Sequence, residues 1–200
     1  KGFKIDAVDI DPITLDIAKN FFRYKPKNTS FFFEDARTYV KTCEKKYDLI
    51  ILDLFFADGV PEHLTTNEFY KNLDNCLNEN GVILSNSLMD FSNELALNSV
   101  LSTFSNQFDD LHFFHKPGAE VGNLYIVAGK NGTSKRVEGL KISLDFIPKG
   151  IKPKVIQVLR NAKKFKKEDF NDQNILYDEK NQFSIIFAEI LPKYRKLVTS

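Results

Sequence analysis

Two hundred residues are enough to bury a hydrophobic core, and a 42% apolar share beside 28% charged residues fits a globular chain rather than a disordered one. Lysine and arginine (28) nearly balance aspartate and glutamate (27), so a net charge of +1 gives no electrostatic reason to expect nucleic acid as a partner. The lone Cys43 and Cys76 lack metal or redox spacing and read as ordinary thiols of a reducing, cytoplasmic setting. No apolar run approaches the roughly 18 residues of a membrane span, and no signal peptide is visible. The sequence opens on Lys1 rather than methionine and enters a strand-like segment almost at once, which reads as a fragment.

Phe3 to Ile10 is strand-like and runs into Asp9-Ile10-Asp11-Pro12, where Asp11 can cap a helix whose first turn tolerates Pro12. Ile13, Ile17, Phe21 and Phe22 recur at helical spacing. Thr29 to Phe33 is β-rich, with Phe31-Phe32-Phe33 read as core, and Glu34-Asp35-Ala36 ends it before a short helix over Ala36 to Cys43. Leu49 to Leu52 is a continuous apolar run of the kind buried on both faces of a parallel sheet, and Asp53 stops it. A loop with Asp58, Gly59, Pro61 and His63 follows, and Thr65-Thr66-Asn67-Glu68 has the form of a capping box.

Phe69, Leu73, Cys76 and Leu77 mark one face of the next helix, expected to end near Asn80-Gly81. Val82 to Leu84 reads as a buried strand closed by Ser85-Asn86-Ser87. Phe91 to Phe108 reads as an amphipathic helix with Leu95, Val100, Leu101 and Phe104 toward the core. Leu111 to Phe114 and Asn123 to Ala128, joined by a His115-Lys116-Pro117-Gly118 turn, suggest an antiparallel edge pair. Lys130 to Arg136 looks like a surface linker. Residues 151 to 165 read as a helix opened near Pro153, and Lys163, Lys164, Lys166 and Lys167 as a solvated face.

Alternating strands and helices predict an α/β, Rossmann-like fold: a mostly parallel sheet with an antiparallel edge pair, followed by a partly helical extension. The expected division is a nucleoside-binding domain over 1–130 and an extension over 131–200. If the strands ending at Asp9, Asp35 and Asp53 run parallel in one sheet, all three acids meet at one edge, where ligands of such sheets bind. Asp9 is the candidate acceptor for ribose hydroxyls, because an ionised carboxylate only accepts hydrogen bonds. The glycine-rich turn that goes with such an acid falls about 20 residues earlier, before residue 1. Plainer readings stand beside these. Asp9 and Asp11 could be helix caps, Asp35 a turn residue, Asp53 a strand end and His63 a loop hydrogen-bonder; His112 and His115 read as structural.

The motifs VDIDP, EDAR, YDLIILD, GVPEHLTTNEFY and NGVILSN, with a late ILYDE, resemble the spermidine synthase family of aminopropyltransferases, closest to its spermidine synthase-like branch. That resemblance spans most of the chain. It implies a methyltransferase-type fold using S-adenosylmethionine or its decarboxylated form as co-substrate, a small-molecule amine as acceptor, and no metal. Asp9 matches the family's ribose-binding acid, Asp35 and Ala36 the position that reads the adenine edge, and Asp53 the acid that positions and deprotonates the attacking amine. Established members carry a second acid three residues after the first; Phe56 stands there, with Asp58 and His63 as substrate-loop candidates. Methyl transfer, and a non-catalytic module binding a nucleoside or a partner, remain as alternatives, and a homodimer is left open.

Overall fold

The computed structural model of the chain describes residues 2–54, 60–130, 148–153, 156–157, 162–166, 174–181 and 190–199. They fall into two compact units, 1–44 and 45–200. The expected boundary at 130 and 131 falls where the described residues stop, and of the expected linker Lys130 to Arg136 only Lys130 is described.

In the first unit, β1 (Ile5–Asp9) and β2 (Thr29–Phe33) pair in parallel from Ile5 opposite Thr29 to Asp9 opposite Phe33. The crossover helix α1 spans Ile13–Phe21, and α2 spans Ala36–Lys41. Asp11 opens α1 as expected, its Oδ1 accepting from the Ile13 amide at 2.9 Å. The apolar spacing of α1 is helical, yet two strands and two short helices offer too little surface to cover it: Ile17 is 41% and Phe21 78% exposed. The phenylalanine run is not core either. Phe31 and Phe32 are half-buried and Phe33 is exposed, because strand alternation sends Phe31 and Phe33 to one face and Phe32 to the other. Phe31 stacks on Phe33 with ring centres 6.5 Å apart, and Phe32 leans on Tyr39 at 4.9 Å.

The second unit holds a five-stranded sheet in the order β3-β4-β6-β5-β7. Its strands are β3 (Tyr47–Leu52), β4 (Leu77–Asp90), β5 (Asp110–Phe114), β6 (Val121–Gly129) and β7 (Lys163–Lys164). β3 runs parallel to β4, and the remaining pairs are antiparallel. The α/β class and the antiparallel pairing of β5 with β6 are as the sequence predicts, but β7 outside β5 makes that pair interior instead of the sheet edge, and among the described residues β1 and β2 pair in a two-stranded sheet of their own. The expected helix over 151–165 is also cut short: Lys163 and Lys164 pair with β5 instead.

The core of this unit lies on one face of the sheet. Leu52, Ile83, Ser85, Leu124 and Ile126 are buried there together with Phe69, Tyr70 and Leu73 of α3 (Asn67–Asn75) and Val100, Leu101 and Phe104 of α4 (Glu94–Gln107). Tyr70 and Phe104 stack across the two helices at 4.0 Å. The opposite face carries Leu49 at 53% and Ile51 at 63% exposure, so within the described residues of this unit β3 is covered on one side. Leu95 is likewise 52% exposed, at the first turn of α4 and off its buried stripe.

Helix α3 ends earlier than the sequence suggests. Cys76 closes it, and β4 begins at Leu77, opposite Tyr47; the next pair is Leu49 with Val82, so residues 78–81 bulge against the single Asp48. Gly81 permits this, because a β-carbon there would stand 2.8 Å from the Tyr47 carbonyl oxygen. A second offset concerns the capping box. Thr66, not Thr65, caps α3 by accepting from the Phe69 amide at 3.3 Å, and Glu68 accepts from the Asp178 amide at 3.1 Å instead of returning to the cap.

Candidate functional site

Each predicted acid stands where a strand stops. Asp9 ends β1, is exposed, and accepts from the Asp11 amide at 2.9 Å through Oδ1. Asp35 follows β2 and caps α2, its Oδ1 accepting from the amides of Arg37 at 2.9 Å and Thr38 at 3.1 Å, with Ala36 as the first helical residue. The capping reading is therefore met for Asp11 and Asp35, and Asp9 also holds a local turn. Both strand ends belong to the first unit, where parallel pairing brings them to one edge.

Asp53 belongs to the second unit and is bound by a residue that the sequence shows only as part of a strand end. Leu52 pairs with Ser85, so the next rung sets Asp53 beside Asn86. The Asn86 Nδ2 group donates to Asp53 Oδ1 at 2.9 Å, and Asn86 Oδ1 accepts from Asn123 Nδ2 at 2.8 Å. Asn123 lies on β6, opposite Leu88 and two residues from Tyr125, the partner of Asn86, which makes it a diagonal neighbour on the same face.

A cleft open to solvent adjoins this end of β3. Leu52, Leu64, Tyr70 and Val100 give it an apolar floor, and Ser85, Asn86 and Ser87 line its polar rim. Burial pushes the Tyr70 phenol above its ordinary value, which keeps it protonated. His63 lies in the 3-10 turn Glu62–Leu64 and is exposed; Asp58 and Phe56 fall outside the described residues.

The segment from Glu62 to Glu68 is tied down from the C-terminal side, a role that the motif ILYDE does not announce. The Asn67 amide donates to the Leu176 carbonyl at 2.8 Å, and the Leu176 amide donates to Thr103 Oγ1 at 3.0 Å. Asn181 Nδ2 donates to the Glu62 carbonyl at 2.7 Å. Residues 176–181 thus strap the segment from Glu62 to Glu68 against α4.

Residues 3–117 match the spermine/spermidine synthase domain, more than half of the 200 residues. The chain belongs to this family. Within it, the polyamine aminopropyltransferase of Vibrio vulnificus is 34% identical over 128 residues, covering 62% of this chain and 42% of that protein. The corresponding protein of Clostridium perfringens is 37% identical over 87 residues, 41% of this chain and 31% of that one. The chain spans less than half the length of these curated relatives. Among solved structures, the "probable spermidine synthase" of Corynebacterium glutamicum superposes with a TM-score of 0.62 at 17% identity, over 86% of this chain and 63% of that one. Human methyltransferase-like protein 13, solved with SAH, reaches 0.56 at 21% identity over 66% of each chain. At these identities the spermidine synthase and methyltransferase neighbours establish a shared fold, matching the α/β class read from the sequence.

Proposed function

We propose that the protein containing this chain is an aminopropyltransferase that moves the aminopropyl group of decarboxylated S-adenosylmethionine to a small amine. The observation that carries this reading is Asp53, a carboxylate at the C-terminal end of a parallel strand, which follows Leu52 of the cleft and is held by Asn86 of its rim, in a member of the spermine/spermidine synthase domain family. The amine's nitrogen lone pair attacks the methylene carbon next to the sulfonium. That carbon–sulfur bond breaks, its electron pair stays on sulfur as a neutral thioether, and the attacking nitrogen becomes a secondary ammonium. Asp53 holds the incoming cationic amine in line and first accepts or relays one of its protons, which frees the lone pair for attack, so positioning and charge stabilisation carry most of the work. Asp9 is assigned the ribose hydroxyls, which need acceptors, and Asp35 with Ala36 the adenine edge. Asp58 and His63 remain substrate-loop candidates.

The test uses the full-length protein with decarboxylated S-adenosylmethionine and putrescine. Asp53→Asn keeps the shape but removes the charge, and kcat should fall roughly 100-fold or more. Undiminished turnover would remove Asp53 from the mechanism. Methyl transfer from S-adenosylmethionine in place of aminopropyl transfer would favour the methyltransferase reading. A protein that binds neither S-adenosylmethionine nor methylthioadenosine by calorimetry would be a non-catalytic module.

A further inference from the structure

We propose that Asn86 and Asn123 form a one-way amide relay that orients the Asp53 carboxylate, with Asn123 acting as a positioning residue that reaches Asp53 only through Asn86; the inference rests on the proposed role of Asp53 in aminopropyl transfer. Three polar side chains from three adjacent strands share one face at the C-terminal end of β3: Asp53 on the rung after Leu52, Asn86 beside it on β4, and Asn123 diagonally across on β6. The contacts run Asn123 Nδ2 to Asn86 Oδ1 at 2.8 Å and Asn86 Nδ2 to Asp53 Oδ1 at 2.9 Å. A carboxylate only accepts, so Asn86 must turn its NH₂ toward Asp53. Its carbonyl then faces β6, and Asn123 must present its own NH₂ there. Each amide therefore has one orientation that satisfies the chain, and the charge of Asp53 sets both.

Among the described residues the relay engages Oδ1 of Asp53, so Oδ2 is the oxygen offered to an incoming amine. Holding one oxygen fixes the carboxylate plane relative to the sheet, and in-line attack depends on that angle. Asn123 is absent from the lining of the cleft, whereas Asn86 is part of it, so Asn123 is the cleaner position at which to test the relay.

The decisive variants change direction rather than size. Asn123→Asp is nearly isosteric but offers only acceptors. Asn86 could then give its NH₂ to only one of the two carboxylates, and whenever it turns to the one introduced on β6 its carbonyl oxygen is set against Asp53. Asn123→Ala removes the outer bond but leaves Asn86 able to keep its NH₂ on Asp53. In the full-length protein with putrescine and decarboxylated S-adenosylmethionine, kcat should therefore fall roughly tenfold for Asn123→Asp, the worth of one hydrogen bond to a charged group. The loss for Asn123→Ala should be smaller, and Asn123→Gln, which keeps an amide donor, should restore most of the rate. The KM for putrescine should not rise in Asn123→Asp, because an added negative charge does not repel a cationic amine. A purely structural role predicts the reverse order, with alanine worse than aspartate, and that result would overturn the relay while leaving aminopropyl transfer in place.

A second measurement does not depend on turnover. In the nitrogen-15 spectrum of the full-length protein, Asp53→Ala should move the side-chain amide signals of both Asn86 and Asn123. Movement of the Asn86 signal alone would overturn the relay. A wild-type protein without aminopropyl transfer would overturn the proposed function, and these two amide signals would then decide the relay by themselves.

Discussion

Asp90 closes β4 with only 2% of its surface exposed, and its charge is answered by the Lys193 ammonium of the C-terminal helix α5 (Ile190–Thr199). The Ser92 hydroxyl and amide add hydrogen bonds of 2.6 and 3.0 Å. Burial by itself raises the Asp90 carboxyl, but the Lys193 and Ser92 donors outweigh it and hold the group below its ordinary value. A carboxylate depressed in the folded state stabilises the fold above its unfolded value, near pH 4, and loses that contribution as pH falls through the folded value. Asp90→Asn should accordingly cost roughly 1–3 kcal/mol at neutral pH and flatten the acid limb of stability, measured by urea denaturation from pH 7 to pH 3. An acid limb as steep as that of the wild type would show that other carboxylates govern it. Single residues are the most legible part of the sequence where the signal is local. Asp11 and Asp35 cap helices because their bonds reach two or three positions along the chain. Glu68 escapes such a reading because its partner lies 110 residues away at Asp178.

At the scale of elements, the strap over 176–181 depends on few bonds. Thr103 is fully buried in α4, where its hydroxyl donates to the Ser99 carbonyl at 2.6 Å and accepts from the Leu176 amide at 3.0 Å. Thr103→Val keeps the shape and leaves that amide without its acceptor, which should cost roughly 1–3 kcal/mol. Hydrogen exchange should show faster exchange at Leu176, with the amides of β4 and β6 slowed or quickened far less; equal acceleration everywhere would mean that the strap unfolds only with the whole unit. Strand positions β1 and β2 follow from their β-rich runs and the aspartates that end them. The start of β4 does not, because Asn78 to Gly81 reads like the end of a helix, while the structure places those residues in a bulge fixed by the backbone of Tyr47. The Asn86–Asn123 contact is equally hidden, since a diagonal pair across antiparallel strands requires the register before it can be seen.

For the whole molecule, the two units differ in what they bury. Neither α1 nor α2 contains a buried residue, whereas Phe69, Leu73, Ile83, Leu101, Phe104, Leu124 and Ile126 make a continuous core in the second unit. Buried apolar contact sets the free energy of local opening. Hydrogen exchange on the full chain should therefore find the amides of β1 and β2 exchanging through low-energy openings, and those of β4 and β6 protected up to global unfolding. Equal protection in both would show that the first unit gains its stability from contacts outside its own core. The α/β class is readable from the alternation of elements and from the strand-ending acids. The coverage of the sheet is not, because the run Leu49 to Leu52 looks alike whether one face is covered or both.

The bulge at 78–81 decides more than the place where a strand begins. Side chains of a strand alternate between faces, so a slip of one residue in β4 would exchange every position beyond it from one side of the sheet to the other. Ser85 or Ser87 would then stand where Asn86 meets Asp53, and a hydroxyl would replace the amide. The chemistry offered at the end of β3 thus depends on a register set several residues upstream, where a glycine outside the lining of the cleft admits the bulge.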